Sequence, residues 1–326
     1  MVLYNLTHNP SLQPSGAAID LFEQTLLRTD RHHVFCHFHH AFENLWGRWL
    51  TDSDRRLCHL CHKLRHNLHH QGHEWIVMQS IPVFVVNHAV SGKEIFCPAL
   101  QKYIPVPVDK FANTKIIEVD EPDFGSDDDR HPRDERKPRY VIEESSIVDV
   151  LGAFTVLKNA YPKPQPNDPF SQDNMPAIFI WMDKIVEAAD SDEHRNMLFA
   201  KVVLHEFAHA LMHIGEFCSD KFYGWREESL ANAYALGKIK ATGDTAFYDY
   251  AKDFVLQQDA NYALGAKYSD AFDTDEIREF MHSWCRIKHR FQHIPASAQK
   301  DWMDYVQNTE PLDDKNLRDL DDAMFQ

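Results

Sequence analysis

Residues 197–215 read MLFAKVVLHEFAHALMHIG, and this stretch contains the pattern His205-Glu206-x-x-His209. In a helix, residues four apart lie on the same face, so His205 and His209 can direct two imidazoles at one point. Two neutral imidazoles are good ligands for zinc, and a glutamate between them can take a proton from a metal-bound water. The stretch therefore predicts a metal site on a helix.

The residues on either side of this stretch predict where the helix begins and ends. Ser191 is a suitable N-cap, and Asp192 and Glu193 follow in the first turn, where the helix dipole favours acidic side chains. At the other end, Gly215 follows Ile214 and suits a left-handed C-cap. We expect one helix from Ser191 to about Ile214.

A catalytic zinc site usually has three protein ligands, and a second helix can supply the third. Trp225–Leu236 reads WREESLANAYAL and has a helical pattern. Glu228 lies in it, with eighteen residues between it and His209, and Asn232 follows one turn later. Glu228 is therefore the candidate third ligand.

The pattern H-E-x-x-H, followed at this spacing by Glu228 in E-x-x-A-N, resembles the gluzincin metallopeptidases, the thermolysin-like zincins. The resemblance implies one catalytic Zn²⁺ held by His205, His209 and Glu228. Asn232 stands where thermolysin-like enzymes have an aspartate that supports the first histidine, and it can still accept that hydrogen bond. HEFAHALMH after the strand AIFIW is also similar to the small gluzincins and the ImmA/IrrE-like peptidases, over about residues 140–240.

Such a site implies hydrolysis of a peptide or protein substrate, with Glu206 as the general base. During hydrolysis the substrate carbonyl oxygen becomes an oxyanion, which needs a hydrogen-bond donor. The sequence leaves Tyr223, Tyr234 and His213 as alternatives for this donor. In the family, a strand beside the site pairs with extended substrate. We predict this role for Ala177–Met182, with a plain core strand as the alternative.

The composition is that of a globular protein and excludes several classes of partner. Of 326 residues, 44% are hydrophobic and 26% charged, and the net charge of −16 disfavours binding to nucleic acid or to an anionic membrane. No apolar run approaches the length of a membrane span. The first residues lack a secretion signal, and six cysteines without a framework spacing suggest reduced thiols. We expect a cytoplasmic protein.

The N-terminal third is rich in histidine and admits two interpretations. Two helices, within 31–50 and from about 52 to 70, carry histidines at three- and four-residue steps. A second metal site could include Cys36, Cys58 and Cys61 with a histidine. One C-x-x-C pair is weak support, so a solvated polar stripe is the favoured interpretation.

The remaining patterns predict the organisation of the chain. We expect a helix over Ile19–Leu27, strands within 74–90 and 95–106, and a helix around Ser146–Lys158. A charged, proline-containing linker is expected at 118–139. It would separate an N-terminal α/β region, 1–117, from a gluzincin-like catalytic domain, 140–326, with a helical cap from about 241. The predicted fold class is α+β, helix-rich, with a small sheet.

Zinc-dependent peptide hydrolysis is the function that these residues favour, with alternatives left open. A structural zinc closed by His213 or Cys218 would leave Glu206 without a task. A regulatory or binding protein could retain the zinc site, as ImmA/IrrE-like proteins partly do. A metal-binding protein could act through the histidine-rich helices instead.

Overall fold

The computed structural model describes residues 1–28, 78, 81–119, 139–158, 174–214, 225–258, 260–278 and 280–281. These residues form an α+β fold rich in helix, with a small mixed sheet. The strands are β1 Val2–Asn5, β2 Pro82–Val86, β3 Glu94–Cys97, β4 Lys102–Pro105, β5 Lys110–Val119, β6 Arg139–Asp149, β7 Gly152–Lys158 and β8 Asn174–Trp181. The helices are α1 Gly16–Arg28, α2 Met182–Ala188, α3 Asp192–Ile214, α4 Trp225–Ala241, α5 Thr245–Leu256 and α6 Ala260–Ala271.

The central sheet has the strand order β1-β2-β8-β7. β1, β2 and β8 run parallel, and β7 pairs antiparallel with β8 at the sheet edge. β3 and β4 pair as one antiparallel hairpin, and β5 and β6 pair as another. Within the described residues, neither hairpin is hydrogen-bonded to the central sheet through its strands. The sheet thus joins strands from the predicted N-terminal region with strands from the predicted catalytic domain.

Successive side chains along a strand point to opposite faces of the sheet, and a hydrophobic core covers each face of the central sheet. Ile178 and Ile180 point into the core shared with the helices. Phe179 and Trp181 point the other way, into a smaller core closed by the β3–β4 hairpin. This arrangement leaves the helices, including α3, on one face of the sheet.

α3 forms where the sequence predicts it. The Ser191 hydroxyl accepts a hydrogen bond from the backbone N–H of His194 at 3.0 Å, which caps the first turn. Leu198, Phe199 and Val203 are fully buried against the sheet and the neighbouring helices. α4 also begins at Trp225 as predicted and extends to Ala241.

The expected helix around Ser146–Lys158 is wrong, because these residues belong to β6 and β7. In β7, Ala153 and Leu157 enter one core while Phe154 packs on the other, which is the period of two of a strand. The expected strand over 95–106 is a hairpin of two strands, β3 and β4.

Two further expectations meet the limits of the described residues. The linker at 118–139 lies outside them, except where β5 and β6 end at Val119 and begin at Arg139. The histidine-rich helices, with Cys36, Cys58 and Cys61, lie outside them entirely. Among the helices that are described, none is both long and apolar enough to cross a membrane.

Candidate metal centre

α3 places the two imidazoles of the motif side by side. The Nε2 atoms of His205 and His209 lie 3.2 Å apart, and the two rings meet edge to face with their centroids 4.8 Å apart. Both residues are only 6% exposed. The four-residue spacing on a helix therefore converges as predicted.

α4 packs against α3 and brings a carboxylate to the same point. The Oε2 atom of Glu228 lies 3.1 Å from Nε2 of His205 and 3.4 Å from Nε2 of His209. Glu228 is 3% exposed. Two nitrogens and one oxygen thus form a small buried triangle that could hold a metal ion.

Without a metal ion, the charges of this triangle are balanced by a proton. Burial lowers the pKa of His205 to about 4 and leaves it neutral. Burial would also lower the pKa of His209, but the Glu228 and Glu227 carboxylates outweigh it and raise that pKa well above its ordinary value. Burial opposes ionisation of Glu228, yet the charge of His209 and the bond to His205 hold its pKa far below its usual range. A cation between these three groups is therefore electrostatically favoured.

Glu206 lies between α3 and the edge strand β7. Burial raises the pKa of its carboxyl to about 7, and the backbone N–H of Phe154 donates a hydrogen bond to it. A Cβ at Gly152 would lie 2.9 Å from Oε1 of Glu206 and 2.7 Å from Val202. A glycine at position 152 is therefore what allows the strand to approach the carboxylate so closely.

Glu227 is a site residue that the sequence interpretation missed. It is fully buried, and its Oε1 lies 3.3 Å from Nδ1 of His209. A metal-ligating histidine commonly donates its second ring N–H to a carboxylate, which fixes the ring orientation. The adjacent pair Glu227-Glu228 is the signal in the sequence, but it does not show which carboxylate faces which histidine.

The predicted support of His205 by Asn232 is not formed. Nδ1 of His205 and both side-chain amide atoms of Asn232 are buried and make no hydrogen bond within the described residues. α6 packs directly over Asn232, since a Cβ at Gly265 would lie 2.6 Å from the Asn232 Cβ. The histidine that contacts a supporting carboxylate is instead His209, through Glu227.

Of the three predicted oxyanion donors, Tyr234 alone has a described side chain. Tyr223 and the side chain of His213 lie outside the described residues. Tyr234 is fully buried, with its ring centroid 6.5 Å from that of Phe207 in the core. The aromatic ring beside the site is Tyr262 of α6, whose centroid lies 6.2 Å from that of His205.

The predicted pairing of substrate with Ala177–Met182 is wrong. β8 is hydrogen-bonded on both sides, to β2 and to β7, and Met182 already belongs to α2. The outer strand beside the site is β7. On the side of β7 that faces β8, the carbonyl of Leu151 accepts a hydrogen bond from the backbone N–H of Trp181. On the outer side, the backbone N–H of Phe154 donates a hydrogen bond to Glu206.

We compared the chain with known proteins at three levels. No protein-family model, no curated protein and no solved structure matches it. The residues of the site are therefore the evidence for what this protein does.

Proposed function

We propose that this protein is a zinc-dependent peptidase of the gluzincin type, with a zincin-like arrangement of α3, α4 and the central sheet. The observation that carries the proposal is the buried triangle of His205, His209 and Glu228. Its edges measure 3.1, 3.2 and 3.4 Å. Two ligands bound to one zinc at about 2.0–2.1 Å in tetrahedral geometry lie about 3.3 Å apart, so the triangle has the size that zinc requires.

The donor set favours a transition metal such as zinc over magnesium or calcium. Imidazole nitrogens suit zinc, copper, iron and nickel, whereas magnesium and calcium prefer oxygen ligands throughout. Two histidines with one glutamate are the protein ligands of a well-known class of catalytic zinc site. Within the described residues, three groups converge on this point.

Glu206 is the group that favours hydrolysis over a purely structural role for the metal. When bound, zinc supplies a Lewis acid that activates water and polarises a carbonyl. The Glu206 carboxylate accepts a proton from the attacking water and passes it to the leaving amine. In the metal-free site burial raises the pKa of Glu206 to about 7, and a cation bound beside it would lower this pKa and favour the carboxylate form that acts as the base.

A peptide substrate is favoured by the outer edge of β7, where the N–H of Phe154 already donates to Glu206. In the described part of the sheet, no strand pairs with this edge, and the edge runs beside Glu206 through Phe154. Backbone groups alternate along a strand, so the N–H and C=O of Val156 point to the same outer side as those of Phe154. An extended peptide can add to this edge through main-chain hydrogen bonds.

We assign to Tyr262 the hydrogen bond that would stabilise the oxyanion formed from the substrate carbonyl. The Tyr262 ring lies beside that of His205 and nearly parallel to it, at an interplanar angle of 27°. A phenolic O–H is a suitable donor to a developing negative charge. α6 carries this residue and packs on α4 next to the ligand helix.

The experiment uses the full-length chain loaded with zinc and an unbiased peptide library read by mass spectrometry. The wild-type protein should cleave peptides, lose this activity with a chelator and regain it with zinc. Glu206→Gln should bind one zinc per chain but lower the cleavage rate by about 10²–10⁴-fold. Glu193→Gln, the same change at an exposed position of α3, is the control and should cleave normally. Undiminished cleavage by Glu206→Gln would refute the mechanism.

A further inference from the structure

A buried lysine lies one helical turn before the first histidine of the site. Lys201 belongs to α3 and precedes His205 by four residues, so both lie on the same face. Its side chain is only 3% exposed. The Nζ atom lies 5.7 Å from the centroid of the Phe254 ring, which α5 contributes.

The ammonium group of Lys201 makes no hydrogen bond or ion pair with any described residue. The two carboxylates that act on it electrostatically are already engaged. Glu228 contacts the two histidines, and Glu206 accepts from the backbone of Phe154. Among the described residues, the charge of Lys201 is therefore met by the Phe254 ring and by the electrostatic attraction of Glu206 and Glu228, and none of them accepts its three donor hydrogens.

An ammonium on a side chain that is only 3% exposed is costly without hydrogen-bond acceptors, and the described residues supply none to Lys201. Burial lowers the pKa of Lys201 to about 8, while Glu206 and Glu228 raise it, and the group remains charged at neutral pH. The whole chain carries a net charge of −16, which repels anions at a distance. A local cation in the wall of the site is what would allow one anionic group to bind.

We propose that Lys201 binds a carboxylate of the peptide substrate. The inference depends on the proposed peptidase function and specifies its substrate class: peptides with a carboxylate within a few residues of the bond that is cleaved. The carboxylate comes either from the C-terminus of the peptide or from an aspartate or glutamate side chain. A charged hydrogen bond of this kind increases affinity by roughly ten- to a hundredfold.

Equilibrium binding tests the proposal without turnover. The protein is the full-length, zinc-loaded Glu206→Gln chain, and the probes are acetyl-trialanine, acetyl-trialanine amide and acetyl-Ala-Glu-Ala amide. Calorimetry should show at least about tenfold tighter binding of one carboxylate probe than of the neutral amide. Tighter binding of acetyl-trialanine identifies the terminal carboxylate, and tighter binding of the glutamate peptide identifies the side chain.

Substitution of Lys201 separates its contribution from that of zinc, which can also attract a carboxylate. The preference should disappear in Lys201→Met and in Lys201→Gln. It should persist in Lys93→Met, a control at an exposed lysine of the β3–β4 hairpin region. Equal binding of the three probes to the chain with Lys201 intact, or an unchanged preference after its substitution, would overturn the inference. Either result would leave the cleavage test of the wild-type protein, and thus the proposed function, unaffected.

Discussion

At the scale of single residues, the orientation of His209 depends on a contact outside the metal triangle. Its Nδ1 faces the buried carboxylate of Glu227, and an ionised carboxylate only accepts hydrogen bonds, so Nδ1 is the donor in this contact. Nε2 is the nitrogen that faces the triangle, and in the metal-free site it carries the second proton of a charged imidazole. Glu227 thus fixes the ring so that Nε2 is the atom that a metal ion would meet, in place of that proton.

Glu227→Gln should weaken the binding of zinc by about 10–100-fold. The amide oxygen can still accept from Nδ1 of His209, but the lost negative charge makes the imidazole a weaker ligand. Competition with a fluorescent zinc chelator measures the affinity, and circular dichroism verifies the fold. Glu193→Gln is the matched control and should bind zinc as the wild type does. Wild-type affinity in Glu227→Gln would show that the contact has no effect on the metal site.

Tyr262→Phe should lower kcat by about 10²–10³-fold if the hydroxyl stabilises the oxyanion. The variant should bind zinc normally, because the ring contact with His205 does not require the hydroxyl. Steady-state kinetics on a peptide found in the library digest gives kcat and KM separately. Tyr103→Phe on the exposed face of the β3–β4 hairpin provides the comparison. An effect on KM alone would assign Tyr262 to substrate binding instead.

The sequence predicts those site residues whose relative position is set within one helix. His205, Glu206 and His209 follow from helical geometry. Glu228 is predicted from its spacing after the H-E-x-x-H pattern, which resembles that of the gluzincins. Glu227 and Tyr262 could not be chosen, because the packing of α4 on α3 and of α6 on α4 decides which side chains face the histidines. Asn232 was assigned by analogy, and in this structure it makes no bond to His205.

At the scale of elements, the same distinction separates correct from incorrect predictions. α3 carries its own signals: the Ser191 cap, acidic residues in the first turn and a long apolar face. β7 has no comparable local signals. Gly152–Lys158 forms a strand because it pairs with β8 and because its side chains pack into a hydrophobic core on each face. Non-local pairing overrides local propensity in such a segment.

Gly265 tests how tightly α6 must approach α4. A Cβ at this position would lie 2.6 Å from the Ser229 carbonyl oxygen and equally close to the Asn232 Cβ. Gly265→Ala should therefore destabilise the protein by about 1–3 kcal/mol, although alanine favours helix by itself. Thermal unfolding measures the loss. Gly16→Ala in α1, where a Cβ meets nothing within 4 Å, should be neutral or stabilising. Equal stability of both variants would mean that α6 can move away without cost.

At the scale of the whole molecule, the helix that carries three residues of the candidate site packs against elements from distant parts of the chain. α1 packs on α3, and the sheet under α3 combines β1 and β2 with β7 and β8. The division at residues 118–139 stays a prediction, but the central sheet contains strands from both sides of it. A metal ion at the triangle would link α3 to α4 and so connect segments that are distant in sequence.

Removal of the metal should therefore lower the stability of the fold as well as its activity. A ligand at about 1,000 times its Kd stabilises the state that binds it by about 4 kcal/mol. For a chain of 326 residues each kcal/mol shifts Tm by roughly 1.5 °C, so a chelator should lower Tm by about 6 °C. Calorimetry of the zinc-loaded and chelated protein measures the shift. Glu228→Gln removes one ligand, and its Tm should respond little to the chelator. A wild-type Tm that is the same with and without chelator would mean that the buried triangle is held together by its own proton and does not depend on a metal.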